Sequence, residues 1–383
     1  MSHLDSLLEG VEVEWKTLGE VADYEQPTKY LVSSKNYYDK YKTPVLTAGK
    51  TFILGYTDET EGIYKASKNP VIIFDDFTTA NKWVDFDFKA KSSAMKMITS
   101  NDESKALLKY IYYWLNTLPS GLVEGDHNRQ WISNYANLQI PIPPLSVQKE
   151  IVRILDTFTE LTAELTAELT ARKKQYNYYR EELLSFDCLN QDLQDSPDFQ
   201  DVRSKVEWKS LGEVAFIGTG SHDTQDAIDD GDYIFYARGV APLKLNSFDF
   251  DETAIITAGD GVGVGKVFHW AVGKYALHQR AYRIVPNAKE IFPRYVYHYI
   301  VANFYSYIEK TSVSSSVTSM RKPMFLKFPI PVPSLEEQER IVSILDKFDI
   351  LTTSISEGLP KEIELRKKQY EYYRDRLLRF KSV

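Results

Sequence analysis

From Leu155 onward, apolar or near-apolar side chains fall in steps of three and four: Phe158, Thr162, Leu165, Leu169, then Tyr176, Tyr179 and Leu183. A period of about 3.5 residues held over about four heptads predicts a coiled-coil seam. Pro141, Pro143 and Pro144 stop any earlier helix, and Ser146 is placed to cap the next one. A helix over residues 146–185 spans about 60 Å at about 1.5 Å per residue. Within it, residues 159–171 read TELTAELTAELTA. Thr, Ala, Glu and Leu all tolerate helix, and Leu161, Leu165 and Leu169 recur on one face, so the repeat reads as a spacer of counted length. A second seam runs Leu345, Phe348, Thr352, Ile355 and meets Gly358-Leu359-Pro360. Proline inside a helix costs about 3 kcal/mol, so a break is expected there, with a new helix from Lys361 to Arg379 carrying Tyr370 and Tyr373. Each stripe is too narrow to be stable alone, which predicts that the two long helices pack antiparallel.

Elsewhere the periodicity shortens. Strand-like runs lie at 44–48, 52–56, 70–74 and 94–98, followed by a helical pattern over 103–117. Runs at 233–237, 253–258 and 281–285 are followed by a helical pattern over 293–309. Each set predicts a compact α+β domain with short strands.

The chain is written twice. VEWKTLGEVA around Trp15 recurs as VEWKSLGEVA around Trp208; PIPPLSVQKEIVRILDTFTELT from Pro141 recurs as PVPSLEEQERIVSILDKFDILT from Pro331; RKKQYNYYREELLSF from Arg172 recurs as RKKQYEYYRDRLLRF from Arg366. Three blocks in one order at nearly one offset mark a tandem duplication. Residues 24–137 and 217–327 hardly resemble each other. Constant ends around a variable middle suggest one scaffold presenting two different readers. The duplication is also circular. The last helix runs out in RFKSV and lacks the continuation found after the central helix, and the N-terminal segment supplies the missing piece. The two termini are therefore expected to lie near each other.

Composition narrows the function classes. A chain of 383 residues with 43% hydrophobic side chains supports two or three folded domains. The single Cys188 excludes a disulfide framework and suits a reducing cytoplasm. No stretch approaches 18 uninterrupted apolar residues, and the N-terminus lacks the pattern of a secretion signal, so no membrane association is expected. The formal charge is −8, with residues 1–140 at −4 and residues 205–328 at +1. Nucleic-acid binding would use local patches or a partner's charge.

Catalytic motifs are hard to find. The glycine-rich stretch at 256–268 fails as a phosphate-binding Walker loop: Asp260 stands where its first glycine belongs, and Val267 where Ser or Thr belongs after Lys266. It fails the dinucleotide fingerprint too. It is either a hairpin turn or a loop whose backbone approaches a ligand through Gly261 and Gly263, with Lys266 as countercharge. FIGTG at 216–220 matches an S-adenosylmethionine-binding pattern weakly, and the Asp/Asn-Pro-Pro-aromatic motif of adenine methyltransferases is absent. The matching place in the first middle, residues 74–83, offers Thr78, Thr79, Asn81 and Lys82 as phosphate or base-edge partners. KSSAMK, with Lys91, Ser92 and Ser93, aligns with LHQRAYR, whose His278, Gln279 and Arg280 are the more base-competent set. Asn128 and Arg129 end the first middle, and Ser315, Arg321 and Lys322 the second.

The repeated I-P-x-P-x-L-x-x-Q-x-x-I-V-x-I-L-D-x-F and R-K-K-Q-Y blocks, alternating with variable domains over essentially the whole chain, resemble the specificity subunits of Type I restriction–modification systems. The TAEL run resembles the spacer of the IC class. The resemblance implies an α+β fold with two target recognition domains, each reading half of a bipartite double-stranded DNA site, separated by the helices. On the sequence blocks these are residues 1–140 and 191–328, with helical spacers at 141–190 and 329–383. Thr47, Lys50, Ser221, His222, Arg238 and Lys244 join the DNA-contact candidates; Leu155, Phe158, Leu165, Leu169, Tyr176, Tyr179, Leu345, Phe348, Ile355, Tyr370 and Tyr373 form the expected spacer and subunit interface. It also implies a chain with no cofactor or catalysis of its own. Two modification subunits would bring S-adenosylmethionine and methylate adenine, and restriction subunits would use ATP and magnesium. The rivals are a coiled-coil adaptor with two protein-binding heads and a self-contained methyltransferase.

Overall fold

The computed structural model describes residues 7–49, 51–118, 130–186, 206–311, 319–354 and 356–380. It forms two compact units, one of Met1–Thr166 with Glu362–Val383, the other of Ala167–Lys361. Both are α+β, and the first is discontinuous in sequence.

The first unit opens with β1 (Glu14–Thr17), paired antiparallel with β9 (Gln139–Ile142) so that Trp15 faces Pro141. The short helix α1 (Leu18–Val21) is held by a capping box, with Thr17 N–H and Oγ1 both donating to Glu20 at 2.6 and 2.7 Å. An antiparallel sheet follows in the order β2 (Ala22–Glu25), β8 (Met95–Ser100), β5 (Val71–Asp75), β6 (Asn81–Val84). A three-stranded sheet takes β4 (Ile53–Thr57), β3 (Thr43–Leu46) and β7 (Lys89–Ala90). Every side chain of β5 is buried because both faces are covered. Ile72 and Phe74 join the core with α2 (Leu108–Leu115), while Val71 and Ile73 join a second core with Leu46 and Phe88.

Helix α2 starts at Leu108 rather than near 103, as the apolar pattern suggests. Asp102 folds the intervening residues into a turn, accepting Ser104 Oγ at 2.6 Å and, through its carbonyl, Ala106 N–H at 2.9 Å. After α3 (Gln130–Ser133), α4 runs unbroken over Leu145–Leu184, so TELTAELTAELTA is helical throughout. Ser146 lies inside its first turn. The Pro144 carbonyl accepts the first helical N–H groups, from Val147 at 2.9 Å and Gln148 at 3.1 Å.

The second unit repeats the plan. Strand β10 (Glu207–Ser210) pairs with β17 (Pro329–Val332), and α5 (Leu211–Val214) has its own capping box of Ser210 and Glu213. One six-stranded sheet runs β11 (Ala215–Thr219), β16 (Ala281–Pro286), β14 (Phe250–Ala258), β15 (Phe268–Leu277), β12 (Tyr233–Tyr236), β13 (Leu243–Leu245). Helices α6 (Pro293–Thr311), α7 (Lys322–Leu326), α8 (Leu335–Thr353) and α9 (Gly358–Leu378) complete the chain. Shared polar contacts tie each middle to its constant ends. Tyr110 donates to the Pro141 carbonyl at 2.7 Å, and Tyr295 to the Pro331 carbonyl at 2.9 Å. The buried Gln148 accepts Leu107 N–H at 2.9 Å and donates to the Pro143 carbonyl at 2.8 Å; Gln338 does the same with Phe292 and Pro333, both at 2.8 Å.

The predicted break falls earlier than Gly358–Pro360. Helix α8 ends at Thr353, and α9 begins at Gly358 with Pro360 in its first turn, where a missing N–H costs nothing. Gly358 has φ of +73°, and a Cβ there would meet the Ile350 carbonyl at 2.4 Å, so only glycine fits. The two described ends of the chain share a core: Leu7, Leu8 and Val11 pack with Leu377, Leu378 and Phe380, as the circular duplication predicts. In the second unit Leu183, Leu184 and Phe186 contribute to the corresponding core.

Candidate nucleic-acid interface

In the second unit Arg238, Gly261, Gly263, Lys266, His278, Gln279 and Arg280 lie on the loops after β12, β14 and β15. Arg238 and Arg280, from two of these loops, both donate to Asp260 in the third, at 2.9 and 3.1 Å. Burial works against the Asp260 carboxylate, but the two guanidinium hydrogen bonds outweigh it and hold its pKa below the usual carboxylate range. Arg280 remains well exposed, its side chain showing 63% of its surface. Gly261 (φ +80°) gives the turn its left-handed residue, and a Cβ on Gly263 would strike the Arg238 carbonyl at 2.7 Å. The glycines thus let one loop lie against another.

His278 is buried and accepts Arg280 N–H on Nδ1 at 2.9 Å, so it supports the turn from inside. Burial first, and the charge of Arg238 second, lower its pKa below the ordinary imidazole value. Gln279 is exposed and donates to Asp223 at 2.8 Å. Beside it, His222 lies 3.2 Å from Asp249, and Ser221 donates to the same carboxylate at 3.3 Å. Lys266 lies over the Tyr305 ring at 4.9 Å and Lys322 over Phe216 at 5.5 Å; Lys244 is exposed on β13, and Arg321 is exposed at the start of α7. Ser315 lies outside the described residues.

The first unit builds the same end differently. Met95 pairs with Asp75 as Ala281 pairs with Ala258, which sets the 76–80 turn and residues 91–94 in the places of 259–267 and 278–280. Thr78 is exposed, and its N–H donates to Asp75 at 3.3 Å. Thr79 is buried with φ of +62° and closes the turn rather than facing solvent. Asn81 accepts Asn116 Nδ2 at 3.1 Å. Lys82, Ser92 and Ser93 are exposed, Lys91 lies over the Tyr37 ring at 5.4 Å, and Thr47 Oγ1 accepts Gly49 N–H at 3.2 Å. Lys50, Asn128 and Arg129 lie outside the described residues. A groove of about 670 Å³ elsewhere in this unit is lined by Glu12, Glu14, Glu20 and Asp102 against Lys16 and Lys105, a poor match to phosphate.

The FIGTG stretch is a packed strand end. A Cβ on Gly220 would sit 1.8 Å from the Leu277 carbonyl, so its glycine serves the sheet. Sequence reasoning missed Asp260 as the link between Arg238 and Arg280, because it registered only as a misfit to a phosphate loop.

On the helical elements, Leu155, Leu345 and Tyr176 are buried, and Phe158, Leu165, Leu169, Phe348, Tyr370 and Tyr373 half-buried. Tyr179 stacks on Phe348 at 5.5 Å between centroids; Ile355 is not among the described residues.

Two heads of one plan, with different chemistry on equivalent loops, define a recognition protein. The Type I restriction modification DNA specificity domain matches residues 10–172 and again 203–365, and the chain belongs to this family. It is 51% identical to the EcoR124I/EcoR124II specificity subunit of Escherichia coli, over 99% of this chain and 97% of that one. It is 33% identical to a putative Type I specificity subunit of Haemophilus influenzae, over 98% of each. In fold it resembles the S subunit of a Type I restriction–modification system from M. genitalium, with a TM-score of 0.71 over 98% of both chains at 17% identity. The chain is thus a non-catalytic Type I specificity subunit with two target recognition domains. Among the described residues no helix is long and apolar enough to cross a membrane.

Proposed function

We propose that each unit reads one half of a bipartite double-stranded DNA target through its loop cluster, with Arg238 and Arg280 reading bases or phosphates for the second half. The observation that carries this is the Asp260 carboxylate tied to both guanidiniums. A carboxylate between two arginines fixes the planes of their donor forks, and a bidentate fork suits guanine O6 and N7. In the first unit, exposed Thr78, Lys82, Ser92 and Ser93 take the corresponding role, with Lys91 and Thr47 at their flank. Residues 1–140 and 191–328 supply the two readers in this scheme.

The helices, 141–190 and 329–383, act as spacer and as docking surface for two modification subunits, which bind S-adenosylmethionine and methylate adenine. Restriction subunits add ATP- and magnesium-dependent cleavage, and the complex works in the cytoplasm. The TAEL repeat supports assignment to the IC class, with α4 acting as a ruler for the gap between half-sites. The acidic chain leaves much of the DNA-facing positive charge to the modification subunits.

Mapping methylated adenines across the genome of a strain with and without this gene tests the reading. A single bipartite motif that disappears with the gene is the expected result. Unchanged methylation in a strain that expresses the modification subunits would overturn it.

A further inference from the structure

Lys96 and Asp76 are the most deeply buried ion pair among the described residues, with 1% and 3% of their side-chain surfaces exposed and 3.6 Å between Nζ and Oδ2. A buried ammonium ordinarily collects hydrogen bonds, yet Lys96 has no hydrogen-bond partner among the described residues; it faces the carboxylate and, at 4.5 Å, the Tyr24 ring. Such an arrangement is costly in a protein that merely needs a core, because two apolar side chains of similar volume serve stability as well or better.

The pair sits where three parts of the reading end meet. Asp76 opens the 76–80 turn that carries Thr78. Its Oδ1 accepts Trp131 N–H at 2.9 Å, and its carbonyl accepts Gln130 N–H, also at 2.9 Å. Gln130 and Trp131 directly follow Asn128 and Arg129 in sequence. Lys96 comes from β8, two residues after the 91–94 turn. The second unit keeps the backbone half of this clamp, with Met320 N–H on the Gly259 carbonyl at 2.7 Å. It replaces the side-chain half: Tyr282 occupies the strand position of Lys96, and glycine that of Asp76.

We infer that the Asp76–Lys96 pair is a positioning element for DNA reading by the first unit, locking the 76–80 turn and the first residues of α3, Gln130 and Trp131, in one mutual register. It touches no base; it acts through the residues it holds. The inference rests on the proposed reading of one half-site by this unit.

The test uses the specificity subunit assembled with its modification subunits and measures methylation of duplexes carrying single base substitutions in either half-site. In Lys96→Met, the penalty for wrong bases in the first unit's half-site falls by about tenfold per position, while penalties in the other half-site stay as in the wild type. If Lys96→Met does not fold, the double variant Asp76→Asn/Lys96→Met carries the same test, since it leaves no charge buried alone and keeps an acceptor for Trp131 N–H. Unchanged penalties in a folded variant overturn the inference, as does an equal fall in both half-sites, which a purely structural role would give. A wild-type complex with no half-site discrimination would instead sink the reading on which it rests.

Discussion

Phe158 stacks on Tyr373, with ring centroids 5.0 Å apart and planes within 22° of parallel, although the two lie more than half the sequence apart. The second unit repeats the contact with Phe348 and Tyr179, at 5.5 Å and 25°. In each unit, the helix that leaves the reading domain is met by the tyrosine-rich helix of the other repeat. Aromatic stacking of this kind contributes about 0.5–1.5 kcal/mol beyond area burial.

A double-mutant cycle on Phe158→Ala and Tyr373→Ala should therefore give a coupling of about 0.5–1.5 kcal/mol in urea unfolding. Additive effects would mean that the rings do not stabilise one another.

Tyr110→Phe and Tyr295→Phe each leave a buried proline carbonyl without its donor. Each should destabilise its own unit by about 1–3 kcal/mol, read from the denaturation midpoint. The near-equality of the two losses is the informative part, since both hydroxyls make the same contact in a duplicated frame.

Deleting Thr166–Leu169 removes one TAEL unit and shortens the helix by about 6 Å. The expected outcome, read by mapping methylated adenines, is a gap shorter by one to two base pairs, at about 3.4 Å per pair, with both half-site sequences retained. Altered half-sites with an unchanged gap would refute the ruler.

Replacing Asp260 by Ala frees both arginines. Discrimination at positions of the second half-site should weaken by about 1–3 kcal/mol, measured as relative methylation of substituted duplexes, while the first half-site is read as before.

Acid should weaken the second unit before the first. Burial lowers the pKa of both His269 and His278. The unfolded chain then binds more protons between the folded values and about 6.5. Stability is full above that pH and falls as pH drops through the window. Urea midpoints at about pH 7.5 and about pH 5.5 measure the loss, and His278→Gln should reduce it.

The sequence alone determined the duplication, the helical character of the TAEL run, the α+β middles and the shared core of the chain's two ends, because these arise from periodicity and repeat order. It also predicted which loops occupy matching places, since strand register preserves those offsets. Tertiary structure decided the rest. Thr79 and His278 look like surface readers by residue type, but backbone conformation and packing turn them inward. Asp260 gains its role only when loops far apart in sequence bring two arginines to one carboxylate. A break near Gly358–Pro360 is legible in the sequence, but its place ahead of Gly358, with Pro360 inside the new helix, depends on where the Ile350 carbonyl lies.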